Sequence, residues 1–210
     1  MTSAIWWIRR DLRLADNQAL AVALVRAGRL IPVFCLDPAI LNSDYVGDKT
    51  SGRVAFLFDG LRRLDADLRA RGSRLIIRRG DPAGELVRLV SESGAEAVFA
   101  EEDTWPYGRD RDARLGEALP LHLTGGLSVH PADAVLKPDG TPHTVFTAFN
   151  RAWKALPIPG VTLAAPGSLP ALPQLDSLPI PDEPSLSLPA PFQPGEAEAP
   201  APAAGVLEWG

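Results

Sequence analysis

The chain has 210 residues, 46% hydrophobic and 22% charged, which is enough apolar content for one domain with a normal core and excludes wholesale disorder. No run approaches the ~20 apolar residues of a membrane span, the opening MTSAIWWIRRDLR lacks a secretory-signal pattern, and a single cysteine excludes an intrachain disulfide, so the cytoplasm is the expected compartment. All 21 basic residues lie at or before Lys154, while six of the 26 acids follow it; the net charge of −5 therefore belongs to the tail, and the near-neutral front gives no electrostatic case for gripping nucleic acid by itself.

In chain order, Ala4–Ile8 reads as a first strand rich in Trp and Ile. Asp16 or Asn17 can cap a helix running to Ala27, with Gly28 as its stop. Leu30–Leu36 is the second strand. Ser51 can cap a long helix in which Val54, Leu57, Phe58, Leu61, Leu64 and Leu68 recur at helical spacing before Gly72. Leu75–Arg78 is the third strand, and Asp81 with Pro82 opens a helix to Ser93 that Gly94 closes. Ala97–Ala100 is the fourth strand; a polar helix near Arg109–Ala118, a fifth strand around Leu121–Leu123 and a helix over Val145–Leu156 complete the domain.

Thirteen of the 21 prolines fall in residues 157–202, where helix and central strand are disfavoured. The chain thus divides into a domain, residues 1–156, and an extended tail, Pro157–Gly210. That tail is either draped over the domain through Leu163, Leu169, Leu172, Leu175 and Phe192 or free. Strand–helix alternation with nearly all-apolar strands predicts a doubly wound, Rossmann-like α/β fold with a five-stranded parallel sheet buried on both faces. Neither a GxGxxG turn nor a Walker A sequence is present, which disfavours a dinucleotide oxidoreductase and a P-loop NTPase.

Ligands of such sheets settle beyond the carboxyl ends of the strands where strand order reverses, usually between the first and fourth. Arg9, Arg10, Asp11 and Arg13 leave strand one, and Glu101, Glu102, Asp103, Trp105, Tyr107 and Arg109 leave strand four. Strand two brings Phe34, Cys35 and Asp37 to the same edge. Acids, arginines and flat aromatics together suit a planar heteroaromatic ligand. Each group also has a plainer reading: Arg10 and Asp11 can pair with each other, Cys35 can be a core thiol, and Asp103 can cap the next helix. Arg62, Arg63, Arg69, Arg71, Arg78 and Arg79 read as a solvated face. His122, His130 and His143 lack metal-ligand spacing and read as loop or surface residues.

WWIRRDLRLADNQAL resembles the opening signature of the DNA photolyase/cryptochrome family. VFCLDPAIL, PYGRDRD at Pro106–Asp112 and PHTVFTAFNRAW at Pro142–Trp153 agree with it in order and spacing, and FQPGE at Phe192–Glu196 agrees weakly. The likeness is greatest to the microbial class I cyclobutane-dimer photolyases. It implies the N-terminal, antenna-binding domain of a deoxyribodipyrimidine photolyase, an enzyme repairing UV-induced pyrimidine dimers in DNA by light-driven electron transfer from FAD. The alternative it leaves is a cryptochrome-like blue-light sensory or interaction module. In such proteins FAD and damaged DNA are held by a C-terminal helical domain. No TSxLSPYL-type segment is present and AEAPAPAAGVLEWG does not continue towards that domain. The chain alone is therefore expected not to repair DNA and to need a complementing C-terminal fragment; no membrane partner is implied.

The resemblance also implies an antenna chromophore contacted by Arg10, Asp11, Phe34, Cys35, Arg53, Leu57 and Asp103. Arg10 and Arg53 would face ligand oxygens, Asp103 would accept from ring donors, and Phe34 and Leu57 would form walls. Folate-binding relatives carry Asn–Glu where Tyr107–Gly108 stands and a histidine in the loop that here reads LNSDYVGDKT. A deazaflavin or flavin is therefore expected rather than methenyltetrahydrofolate. Trp105 stands where deazaflavin binders usually carry Glu, so an empty pocket is the alternative. Phe146, Phe149, Trp153 and Leu156 are expected to form an exposed, self-associating apolar patch.

Overall fold

The computed structural model describes residues 2–41, 52–126, 128–131, 133–157, 163–182 and 194–196; Ser51, the rest of the loop before it and Phe192 lie outside these. Five strands, β1 (Ser3–Ile8), β2 (Arg29–Leu36), β3 (Ile76–Arg79), β4 (Ala97–Ala100) and β5 (Leu121–Leu123), form one parallel sheet in the order β3-β2-β1-β4-β5. The interposed helices are α1 (Gln18–Arg26), α2 (Pro38–Leu41), α3 (Gly52–Arg69), α4 (Pro82–Ser93) and α5 (Pro106–Ala118), with α6 (Phe146–Ala155) following β5. The sheet is the doubly wound α/β arrangement the alternation predicts.

Strand side chains alternate between two cores because their period is two. Ala4, Trp6 and Ile8 of β1 join Leu20 of α1 and Phe58, Leu61 and Leu64 of α3 on one face. Ile5 and Trp7 join Leu86 and Leu89 of α4 and Leu115 of α5 on the other. All six residues of β1 are buried, as a central strand covered on both faces requires.

Local chemistry sets the helix ends. Asn17, rather than Asp16, caps α1 by accepting from the Leu20 amide at 2.8 Å. Asp16 instead takes a positive φ of 51°, which its short side chain tolerates, and its amide bonds Leu163 O at 2.7 Å. α4 has the expected Asp81 cap, Pro82 start and left-handed Gly94 finish. α5 begins at Pro106, three residues ahead of Arg109, because proline is preorganised for a first helical turn. α2 is a single turn that the sequence reading does not anticipate; the Asp37 side chain accepts from the Ala39 amide and Pro38 opens it.

The proline-rich tail is draped, not free, over its described part. Leu169 is buried in the α1–α3 core, and Leu172 and Leu175 pack against the other. Two of the arginines read as a solvated face, Arg62 and Arg71, together with Arg74, are the reason. Proline-rich backbone makes no internal hydrogen bonds, so its carbonyls need donors. Arg71 Nε donates to Pro166 O at 3.0 Å, Arg74 Nη2 to Leu175 O at 2.6 Å, and Arg62 Nη2 to Pro181 O. Arg78 is likewise committed, pairing with Glu92. Beside edge strand β3, Leu178 N bonds Ile77 O at 3.0 Å and the Ser177 hydroxyl accepts from Ile77 N at 2.9 Å, which covers the sheet edge.

Farther along, the Glu196 carboxylate accepts from the Leu14 and Ala15 amides at 2.8 and 2.9 Å, clasping the segment between β1 and α1. Charge-assisted bonds of this kind contribute about 1.5–3 kcal/mol each. Glu196→Ala is therefore expected to lower the urea midpoint and expose the tail to limited proteolysis; an unchanged midpoint and digestion pattern would contradict the clasp.

α6 keeps no residue buried; of the apolar face read from the sequence, Phe146 and Phe149 are exposed, while Trp153 and Leu156 are half-buried, Trp153 against His130. Among the described residues no helix is long and apolar enough to cross a membrane.

Candidate functional site

The strand order reverses between β1 and β4, because β2 and β3 lie to one side of β1 and β4 and β5 to the other. Successive crossovers leave on opposite faces there, so the loops beyond the strand ends diverge and leave a crevice. A cleft of about 390 Å³ opens at this point, lined by Arg9, Arg10 and Asp11 beyond β1, Gln18 of α1, Glu101–Thr104 beyond β4, and Gly125, Gly126, Ser128, Val129 and Pro131 beyond β5. That volume lies within the ~300–1,000 Å³ of small-molecule sites.

The rim is a charge network. Arg10 Nη1 and Asp103 Oδ1 face each other at 3.8 Å, and the Arg10 guanidinium also lies 5.9 Å from the Trp105 ring. Behind them, Arg9 Nη1 contacts both oxygens of Asp112 at 2.7 Å, with the two side chains only 6% and 5% exposed. Arg111 reaches Asp103 at 3.6 Å and Asp112 at 3.4 Å. The guanidiniums of Arg9 and Arg111 sit 4.8 and 4.6 Å from the Trp7 ring, which binds cations through its π face. Neighbouring Tyr107 donates to Asp37; burial, then that carboxylate, pushes its phenol up to about 12.

Gly108 explains how Asp103 reaches this position. A side chain there would place its first carbon 2.5 Å from Asp103 Cγ, so only glycine lets the carboxylate settle against the first turn of α5. Gly125, at φ +66° and tight against the Gln18 side chain, similarly turns the chain after β5.

Two buried acids are among the lining residues. Asp11 is buried and accepts from Asn17 Nδ2 at 2.5 Å; burial, partly offset by that bond and backbone amides, raises its carboxyl. Glu101 is 5% exposed, and neither oxygen accepts a hydrogen bond of normal geometry. Arg13 Nη2 is 3.6 Å away. Burial first, then the nearby Asp11, pushes Glu101 up to about 7 from 4.5.

A group with a raised folded-state pKa adds stability that is full below the unfolded value and is lost as pH rises to the folded one. Stability should therefore fall between about pH 4.5 and pH 7 and level off above. At ~1.4 kcal/mol per unit the change is at most roughly 3 kcal/mol, reduced by water in the open cleft. Urea midpoints at either end of that window measure it, and Glu101→Gln should flatten the slope. A variant whose slope matches the parent would contradict this assignment.

Among the seven residues implied by the family likeness, Arg10, Asp11 and Asp103 meet at the cleft. The others do not line it. Phe34 lies in the α1–α3 core with Leu57 packed against the same cluster. Arg53 is exposed at the start of α3. Cys35 is buried in the opposite core, where desolvation pushes its thiol up to about 12, and is inert. Sequence reasoning underrated Glu101 and overlooked the Gly125–Pro131 segment, although paired glycines directly after a strand signal a close backbone approach. His130, read as surface, is buried edge-on to Trp153 at 5.3 Å.

The family model for DNA photolyase matches residues 4–170. The deoxyribodipyrimidine photo-lyase of Synechococcus sp. is 39% identical over 163 residues, 74% of this chain and 32% of that protein. The fold is shared with a bacterial class III photolyase from Agrobacterium tumefaciens, with 28% identity, TM-score 0.75 and coverage of 88% of this chain and 39% of that one. An archaeal photolyase from Sulfolobus tokodaii, solved with two FAD molecules that imply a novel light-harvesting cofactor, aligns at 27% identity and TM-score 0.69 over 80% of this chain and 38% of its own. The chain thus spans about a third of the first of these relatives and under half of the solved ones. By the match of most of its length and by its sheet, the chain belongs to the DNA photolyase family.

Proposed function

We propose that this chain is the light-harvesting part of a deoxyribodipyrimidine photolyase, and that the cleft between β1 and β4 holds a flavin or deazaflavin antenna. The observation carrying this reading is the open crevice at the strand-order reversal, with Arg10 and Asp103 facing each other across it. Its groups fit such a ring system. Arg10 supplies a donor for a ring carbonyl, Asp103 an acceptor for a ring N–H, and the Gly125–Gly126 backbone a surface that a flat ring can approach. Four carboxyl groups against two arginines in the lining disfavour ligands with an anionic tail, and so favour a neutral ring over a folate. The second FAD molecule of the Sulfolobus tokodaii relative supports an isoalloxazine ring here, with any diphosphate kept clear of the acids.

Excitation captured here would pass to FAD held elsewhere in the complete enzyme, where dimer splitting takes place. This chain's residues bind and orient the antenna and keep it within transfer range; Asn17 holds Asp11 by a hydrogen bond, and Arg111 with Gly108 fixes Asp103. Damaged DNA is a partner of the FAD-bearing part.

The test is retention of ligand. Protein soaked with riboflavin or a deazaflavin and then gel-filtered should carry near-ultraviolet or blue absorbance, and Gly108→Leu, which displaces Asp103, should lose at least tenfold in affinity. A protein-only spectrum after soaking would overturn the antenna reading. Dimer repair by this chain alone, with reductant and light, would overturn the assignment of FAD to another part.

A further inference from the structure

Three successive backbone amides in the segment joining β1 to α1 are satisfied by the proline-rich tail. Leu14 N and Ala15 N donate to the Glu196 carboxylate at 2.8 and 2.9 Å, and Asp16 N donates to Leu163 O at 2.7 Å. An amide turned from water needs an acceptor, and a carboxylate that takes two at once is held firmly. The tail is shaped for this contact. Pro194 is buried, and Gly195, at φ +107°, runs so close to α3 that a Cβ there would lie 2.5 Å from Arg63 Cδ. Gly60 of α3 leaves matching room for Leu12; a Cβ on it would stand 2.8 Å from Leu12 Cδ1 and 3.9 Å from Pro194 Cβ.

The same segment carries one wall of the cleft, since Arg10 and Asp11 lie within it and Gln18 follows it directly. It is closed on itself by a set of short contacts. Arg13 N donates to Asp11 O at 2.9 Å, and Asn17 Nδ2 donates to the Asp11 carboxylate at 2.5 Å and to Arg13 O at 3.3 Å. The Arg13 guanidinium donates to Asp16 O at 2.9 Å. A displacement of Leu14 and Ala15 is therefore passed to Asp11 on one side and, through Asn17, to the start of α1 on the other.

Resting on the reading of the cleft as a chromophore site, we propose that Glu196 is a positioning residue for it, and that tail docking and chromophore binding are cooperative. Glu196 touches no ligand. By holding Leu14 and Ala15 it fixes the backbone from which Arg10 and Asp11 reach the cleft. With the clasp open, the amides lose their acceptors and the segment gains other conformations, only a fraction of which set Arg10 opposite Asp103. Such coupling is reciprocal: the affinity the chromophore loses when the tail is released equals the hold the tail gains when the chromophore binds.

The experiment joins riboflavin titration, read by fluorescence quenching, to limited proteolysis of the tail, both on the whole 210-residue chain. Glu196→Ala should bind at least about tenfold more weakly, because two charge-assisted hydrogen bonds that hold the binding conformation are gone. Glu196→Gln, whose amide keeps one acceptor oxygen, should fall between it and the parent. Arg74→Leu removes the donor to Leu175 O beside the amino end of β3, two strands from β1. It should loosen the tail there and bind riboflavin as the parent does. In the parent, saturating riboflavin should slow tail cleavage by roughly the factor by which Glu196→Ala weakens binding. Circular dichroism verifies that each variant is folded, and the proteolysis of the parent decides if Glu196→Ala is not. Parent-like affinity in Glu196→Ala, an equal loss in Arg74→Leu, or tail cleavage unchanged by saturating riboflavin overturns the role of Glu196 while leaving the cleft as the binding site. Absence of riboflavin binding by the parent overturns both.

Discussion

Asp112→Ala should destabilise the fold by about 3–5 kcal/mol, measured as a shift of the urea midpoint. The carboxylate is buried and compensates two cations at once, Arg9 at 2.7 Å and Arg111 at 3.4 Å. Its loss leaves two buried guanidiniums against Trp7 with one acid, Asp103, near only the second. The penalty is mostly that of an uncompensated buried charge and not the net worth of the pair. A double replacement of Arg9 by Met and Asp112 by Leu should therefore recover part of the loss. If Asp112→Ala unfolds at the parent's midpoint, the network is not the structural support of the cleft described above.

Trp6→Ala should cost about as much, ~3–5 kcal/mol, by emptying the largest fully buried position in the sheet. Trp6 lies at the centre of β1, pairing in register with Pro32 on one side and Phe99 on the other. Trp6→Phe should cost much less, since the indole N–H has no hydrogen-bond partner to lose. Thermal unfolding of the two variants separates these outcomes. Equal destabilisation by both would mean that the indole nitrogen is satisfied by a group the packing does not reveal.

The sheet was legible because of how it is covered. A strand buried on both faces must be apolar at every position, so AIWWI, LIPVFCL and AVFA stand out as runs even without alternation. Helix ends were legible where one residue supplies the cap, as at Asn17 and Asp81. They were less so at α5, where Pro106-Tyr107-Gly108 resembles a turn and the cap makes no side-chain hydrogen bond. The docked tail was hidden for a different reason. Arg62 and Arg71 occupy helical positions normally facing water, and nothing local reveals that their donors serve carbonyls about a hundred residues later.

The candidate site divides along the same line. Arg10, Asp11 and Asp103 could be placed because topology alone brings the ends of β1 and β4 together. The walls expected from Phe34 and Leu57 are not among the cleft's lining residues: alternation in β2 aims Phe34 beneath α3, and half-buried Leu57 packs against the same cluster. Glu101 was visible as one acid among several; that its oxygens are buried, with Arg13 at 3.6 Å, is a property of packing, which sequence does not display.

The most direct measurement of the central claim is an amide-resolved NMR titration of the chain with riboflavin. Shifts concentrated at Asp11, Asp103, Gly125 and Gly126, around the reversal of strand order, are the predicted result. Shifts confined to α6 and its exposed Phe146, or no shifts at saturating ligand, would contradict it.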